Sequence, residues 1–217
     1  MYFLPVSLAL FLLFLVLVPI LFVLAPAVVF AKLGLNPILG YAFFLFCLLG
    51  GGINIPVHRE TVSYRFVQDD FTVLFRKLFG IRVPAFRERI LAVNLGGAIL
   101  PGVLSLYLLT MTPFKETFLA TVVTSAVSFI LSKPVKGVGI VMPAFVPPIV
   151  AAITAIIIAR EHAPQVAYIS GVMGVLIGAD LVRLPQMRKL EANFLSIGGA
   201  GVFDGIYLVG LVSVLLA

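Results

Sequence analysis

The chain has 217 residues, 62% of them hydrophobic and only 11% charged, with a formal net charge of +6 and a mean hydropathy of +1.21. A soluble domain carries about a quarter charged residues, so this composition excludes an ordinary soluble globular domain. It predicts an all-α fold: a polytopic transmembrane helix bundle forming one domain over residues 1–217, with a cytoplasmic loop at 57–89.

Seven spans are expected in chain order: Leu4–Phe30, Ile38–Ile55, Ile90–Met111, Phe118–Leu131, Val138–Ala159, Val166–Val182 and Leu195–Ala217. The first lacks a basic leading region and far exceeds the roughly 7–15 apolar residues of a signal-peptide core. It reads as a retained helix; cleavage near Ala25, Ala27 or Ala31 is the alternative. The fourth span is short. The fifth carries Pro143, Pro147 and Pro148, and three prolines predict a kink, an unwound turn or a re-entrant segment between Val141 and Ile149. No internal repeat is visible, which removes the inverted-repeat signature of many transporters.

Basic residues follow spans two, four and six: Arg59, Arg65, Arg76, Lys77, Arg82, Arg87, Arg89, Lys133, Lys136, Arg183, Arg188 and Lys189. The opposite side carries Lys32, Lys115 and Arg160. The positive-inside rule therefore predicts a multi-pass cell-membrane protein with a cytoplasmic N-terminus and an external C-terminus. Within the longest polar loop, Phe71, Leu74, Phe75, Leu78 and Phe79 recur at helical spacing, flanked by Asp69-Asp70 and Gly80. That pattern predicts a short amphipathic helix on the membrane surface or on the protein's own cytoplasmic ends. The charge fits anionic lipid, and the expected partners are membrane lipid and a membrane-protein or peptide substrate, not nucleic acid.

Of nine acidic residues, only Asp180 and Asp204 fall within apolar spans. A charged residue there costs at least about 2.5–3.5 kcal/mol on insertion scales, which marks both as candidate functional groups. Asp180 sits about one turn from the cytoplasmic end of span six, and Asp204 roughly 13 Å into span seven from the same side. Gly198, Gly199, Ala200, Gly201 and Gly205 allow close approach around Asp204, whereas Gly171, Gly174 and Gly178 fall largely away from Asp180 on an ideal helix. The bland alternatives are an Asp180–Arg183 pair and a protonated Asp204 bonded across helices.

Asn54, Asn94 and Pro143-Ala144-Phe145 lie at a similar depth, which makes Asn94, Pro143, Ala144, Phe145 and Gly201 candidate substrate-binding residues beside the aspartates. A hydroxyl stripe, Thr121, Thr124, Ser125, Ser128 and Ser132, is expected to be packing glue or a polar transport path. No metal or cofactor is expected. His58 and His162 lie on opposite sides without a ligand cluster, and Gly199–Asp204 lacks the strand and lysine of a phosphate loop.

The segments Ile53-Asn54-Ile55-Pro56, Ala92-Val93-Asn94-Leu95-Gly96-Gly97-Ala98, Ile177-Gly178-Ala179-Asp180-Leu181 and Ser196 to Ile206 resemble a prokaryotic integral-membrane family, the domain of unknown function 1614. That resemblance implies no activity. Asp180 and Asp204 are more loosely similar to the aspartates of the presenilin and signal-peptide-peptidase group, and Pro143-Ala144-Phe145 to its Pro-Ala-Leu element. Here two residues separate Gly201 from Asp204, and the Pro-Ala element precedes both aspartates. The similarity implies an intramembrane aspartyl protease-like hydrolase. A proton- or cation-coupled transporter or channel is the alternative.

Overall fold

A computed structural model describes residues 11, 15, 23–63, 86–135, 139–187, 194–199 and 205–217. Seven helices appear among them: α1 (Val23–Lys32), α2 (Pro37–Gly50), α3 (Leu95–Leu109), α4 (Phe114–Leu131), α5 (Val146–Ile158), α6 (Arg160–Met187) and α7 (Gly205–Leu216). Two of them, α4 and α6, are long and apolar enough to cross a membrane. The other helices are shorter, and those of 12–15 residues rise only about 18–23 Å against a hydrocarbon core of about 30 Å. Seven full-length helical spans therefore do not describe this fold.

Nor is it all-α. Five strands are present among the described residues: β1 (Asn54–Ser63), β2 (Phe86–Asn94), β3 (Lys133–Val135), β4 (Gly139–Val141) and β5 (Phe194–Ile197). They form a three-stranded sheet, β1-β2-β5, and a separate β3–β4 ribbon. β1 and β2 are antiparallel, from Asn54↔Asn94 to Ser63↔Phe86, with a register shift between Pro56 and His58. β5 runs parallel to β2, pairing Ile90 with Phe194 through Val93 with Ile197. The two ends of the 57–89 loop thus form a hairpin rather than polar coil; its Phe71–Phe79 stripe lies outside the described residues, as does most of the first expected span.

The strands of the three-stranded sheet replace the ends of three expected spans, and local chemistry explains each break. Gly50-Gly51-Gly52 ends α2, because consecutive glycines lose the most entropy in a helix. Asn94 and Gly198-Gly199 punctuate the other two, leaving apolar runs of four or five residues that extended chain can bury as well as helix. In the proline-rich segment β4 stops at Val141, a turn covers Ala144 and Phe145, and α5 begins at Val146. Pro147 and Pro148 then sit in the first helical turn, where a missing amide donor breaks no hydrogen bond. The expected irregularity is there, and the helix starts eight residues later than the span assigned to it.

Helix α6 is the hub. Its Tyr168, Ile169, Val172, Val175, Leu176 and Ala179 join Val29 and Phe30 of α1, Leu33 just beyond it, Leu104 and Leu108 of α3, and Ile206, Val209 and Val214 of α7 in one apolar core. Glycines set the spacing. A Cβ at Gly174 would lie 2.7 Å from Thr124 Cβ, one at Gly178 would strike the Ser125 carbonyl, and one at Gly171 would crowd Ser213 and Val209. The hydroxyl stripe of α4 accordingly faces a packed interface. Thr117, Thr121 and Thr124 donate to carbonyls four residues back in the chain.

Side-chain caps tie the helix ends together. Asn36 caps α2 by accepting from the Ile38 amide at 2.9 Å. Lys32 donates to the Val214 and Leu215 carbonyls at 3.2 Å each, so α1 and α7 finish at one end of the molecule. At the opposite end Arg183 donates to the Phe129 carbonyl at 2.6 Å, to Ser132 Oγ at 3.1 Å and to Gln186 Oε1 at 2.6 Å, with its guanidinium 4.2 Å from the Phe129 ring centre. Arg183 thus closes the C-terminus of α4. Replacing it with Ala is expected to destabilise the protein by about 1–2 kcal/mol, and Lys is expected to restore less than half, because an ammonium lacks the planar fork. Thermal unfolding in detergent reads both; an unchanged Arg183→Ala melt contradicts the capping role.

Candidate functional site

Where the three-stranded sheet meets the helices, three polar side chains converge. Asn94 ends β2, and its fully buried amide uses both halves. Nδ2 donates to the Gly51 carbonyl at 2.7 Å and to Asn54 Oδ1 at 3.2 Å, while Oδ1 accepts from the Gly97 amide at 2.8 Å and caps α3. Ser196 Oγ of β5 donates to the same Asn54 Oδ1 at 2.6 Å. All three strands are locked in register at one point. Asn94, a substrate-binding candidate by sequence, makes here the bonds of a structural clamp.

Two residues past Ser196, the chain turns sharply. Gly198 and Gly199 have φ of +85° and +83°, a region L side chains rarely adopt. A Cβ on Gly198 would also meet Ala98 Cβ at 2.5 Å and Ala98 N at 2.8 Å, so the turn is pressed onto the first turn of α3. The Gly198 amide donates to Asp180 Oδ2 at 2.8 Å.

Asp180 lies in α6, 9% exposed, within a π-helical stretch from Leu176 to Leu181. A π-turn inserts a residue into the helical register and reorients the side chains that follow. The result is that Gly174 and Gly178 face α4 while Asp180 faces the end of β5. A second π-helical stretch, Leu95–Ile99, opens α3 directly after Asn94. Distorted turns therefore flank the site on both helices.

Arg183 is engaged by α4 and Gln186, and Asp180 carries no ion pair among the described residues. The i,i+3 pairing expected as the bland alternative for Asp180 is not formed. Among the described residues, the Gly198 amide is the donor to this carboxyl.

The remaining candidates fare differently. Gly201 and Asp204 lie outside the described residues. Pro143, Ala144 and Phe145 occupy an exposed turn, Phe145 at 72%. The chain just before them reaches inward, with Ile140 and Met142 packed against the core that includes Leu176 and Ala179. Ser196 is a site residue that the sequence reading does not single out, and Gly198 enters that reading only as a small residue near Asp204. Their signal is a serine and two glycines interrupting an apolar run, a break that marks a strand end followed by a tight turn.

A helix-rich protein with a buried carboxyl held against a strand-to-glycine turn is the class these features define. Residues 48–216 match the family model described as "Protein of unknown function (DUF1614)", and the chain belongs to that family. The searched curated proteins and solved structures yield no match.

Proposed function

We propose that this chain is a multi-pass integral membrane hydrolase of aspartyl protease type, cleaving peptide bonds at a site built on Asp180 and Asp204. The observation that carries the reading is Asp180 itself: buried, unpaired with any described cation, and anchored through one oxygen to the Gly198 amide. The backbone bond fixes the carboxyl's orientation without neutralising it. Asp204 follows Gly198 by six residues in sequence. In the proposed reaction one carboxylate takes a proton from water as the water oxygen adds to the peptide carbonyl. The other, protonated, gives its proton to the carbonyl oxygen; the first carboxyl then returns its proton to the amide nitrogen while the second takes one back from a gem-diol hydroxyl, and the C–N bond breaks to release the amine and the new carboxyl end.

Membrane insertion is supported by what lies outside. Ile38, Ile130 and Ile157 are each at least 70% exposed, and Phe46, Leu49, Leu106 and Phe118 are exposed as well, a broad apolar exterior suited to hydrocarbon. In the proposed orientation the sheet, with Arg59 and Lys133, faces the cytoplasm and Ala217 faces outward. Cysteines at Arg59 and Ala217, on a Cys47→Ala background, are expected to react with an impermeant thiol reagent from opposite sides. Labelling from one side alone overturns the orientation.

The direct test of function is purified protein in liposomes, assayed in parallel for cleavage of an apolar peptide and for ion flux. Cleavage lost in Asp180→Asn and in Asp204→Asn is the expected outcome. Aspartate-dependent flux without cleavage replaces this reading with proton or cation transport.

A further inference from the structure

Helices α3 and α4 are consecutive, joined by the short turn 110–113, yet each packs on α6 rather than on the other. The crevice left between them holds about 140 Å³. Ile169 and Met173 of α6 line its floor, and Leu106 of α3 with Phe114 and Phe118 of α4 line its mouth, each of these three at least 59% exposed. Phe114 and Phe118 stack with ring centres 6.2 Å apart along one side.

Three hydroxyls line the crevice, and each is already used within its own helix. Ser105 donates to the Pro101 carbonyl at 2.9 Å, Thr117 to that of Pro113 at 2.8 Å and Thr121 to that of Thr117 at 2.8 Å. The wall offers an occupant no free hydroxyl donor, so a water or a peptide backbone placed there would leave its own hydrogen bonds unmade. Apolar cavities of about 150 Å³ stay dry and accept a benzene-sized group, on the order of six carbons. The adjoining turn supplies a cation. Lys115 is exposed beside Phe114 and makes no ion pair among the described residues, not even with Glu116 in the same helical turn. The start of α4 has no side-chain cap either, and uncapped helix amides favour an anion.

We propose that this crevice binds one acyl chain of an anionic phospholipid, with its phosphate at Lys115 and the start of α4. Between apolar walls and lipid tails there is no hydrophobic drive, so the chain is held by filling a gap the helices leave open and by its paired headgroup. The flexible thioether of Met173 adapts the floor to a chain that is not rigid. A two-fold contact with a second copy would instead bring the two Lys115 ammonium groups toward each other. The inference rests on the membrane insertion proposed above and is independent of the hydrolase chemistry.

The sequence has no tryptophan, so a single introduced one reports its own surroundings. Leu106→Trp places it at the mouth of the crevice; Ile157→Trp, at a position 75% exposed on α5, is the control on another helix. Both full-length proteins are placed in phosphatidylcholine nanodiscs containing a minor fraction of phosphatidylglycerol brominated on its acyl chains. The mouth tryptophan is expected to be quenched at least about threefold more than the control. Lys115→Gln, or brominated phosphatidylcholine in place of the phosphatidylglycerol, is expected to remove the excess. Native mass spectrometry of wild-type protein released from the same discs is expected to show one retained phosphatidylglycerol, lost in Lys115→Gln. Equal quenching of the two tryptophans overturns the proposal, as does an excess that persists in Lys115→Gln. A mouth tryptophan quenched less than the control also overturns it, because protein, from this chain or a second copy, then covers the crevice. If neither tryptophan is quenched, the chain is not in the bilayer and the membrane reading itself falls.

Discussion

Asp180→Asn is expected to lower turnover about 10²–10⁴-fold, the usual contribution of a positioned acid or base, while leaving the protein folded. The amide keeps the carboxyl's shape, and its Oδ1 can still accept the Gly198 amide bond seen at 2.8 Å. What it loses is the capacity to hold or release a proton. Turnover in liposomes and thermal unfolding of the same preparation separate the two effects. Asp180→Leu is the contrasting variant: it leaves the Gly198 amide unpaired in a buried position and is expected to destabilise by about 1–3 kcal/mol as well as to inactivate. Full activity in Asp180→Asn would remove Asp180 from the chemistry. A large loss of stability in Asp180→Asn would instead make the residue part of the scaffold.

The helical interior is legible in the sequence because it obeys a simple rule: long apolar stretches with small residues pack as helices. Asp180, Asn54 and Asn94 are legible because polar side chains inside apolar runs need a reason to be there. The strands are hidden by the same composition. Ile90-Leu91-Ala92-Val93 and Phe194-Leu195-Ser196-Ile197 are nearly continuous apolar runs, and a buried strand of that length has no periodicity to distinguish it from one turn of a buried helix. An ideal straight helix also misplaces Asp180. The π-stretch at Leu176–Leu181 turns it away from the face that regular geometry assigns it, and nothing in the residue pattern announces this. Asn94 is recognisable as a polar residue in an apolar run, but only the partners Gly51, Asn54 and Gly97 reveal that it clamps strand ends to a helix start.

Gly178→Ala is expected to destabilise the protein by about 2–3 kcal/mol, the upper part of the range for overpacking a core. The new Cβ would strike the backbone carbonyl of Ser125 in α4. Backbone cannot rotate aside as a side chain can, so α4 and α6 must separate along an interface whose neighbouring step, Gly174 against Thr124, is also tight. Ala favours a helix over Gly by about 1 kcal/mol, and the expected net loss is what remains after that gain. Gly102→Ala is the matched control. Gly102 lies in α3 with no atom within 4 Å of a new Cβ, and its substitution is expected to be neutral or to stabilise by about 0.5–1 kcal/mol. Unfolding of the three proteins in one detergent gives the comparison, and a Gly178→Ala protein within about 0.5 kcal/mol of wild type would contradict the packing. The consequence reaches the site, because Gly178 and Asp180 share the same π-helical stretch. Displacing α6 from α4 shifts the carboxyl against the Gly198 amide, so Gly178→Ala is expected to lose activity even at temperatures where it remains folded.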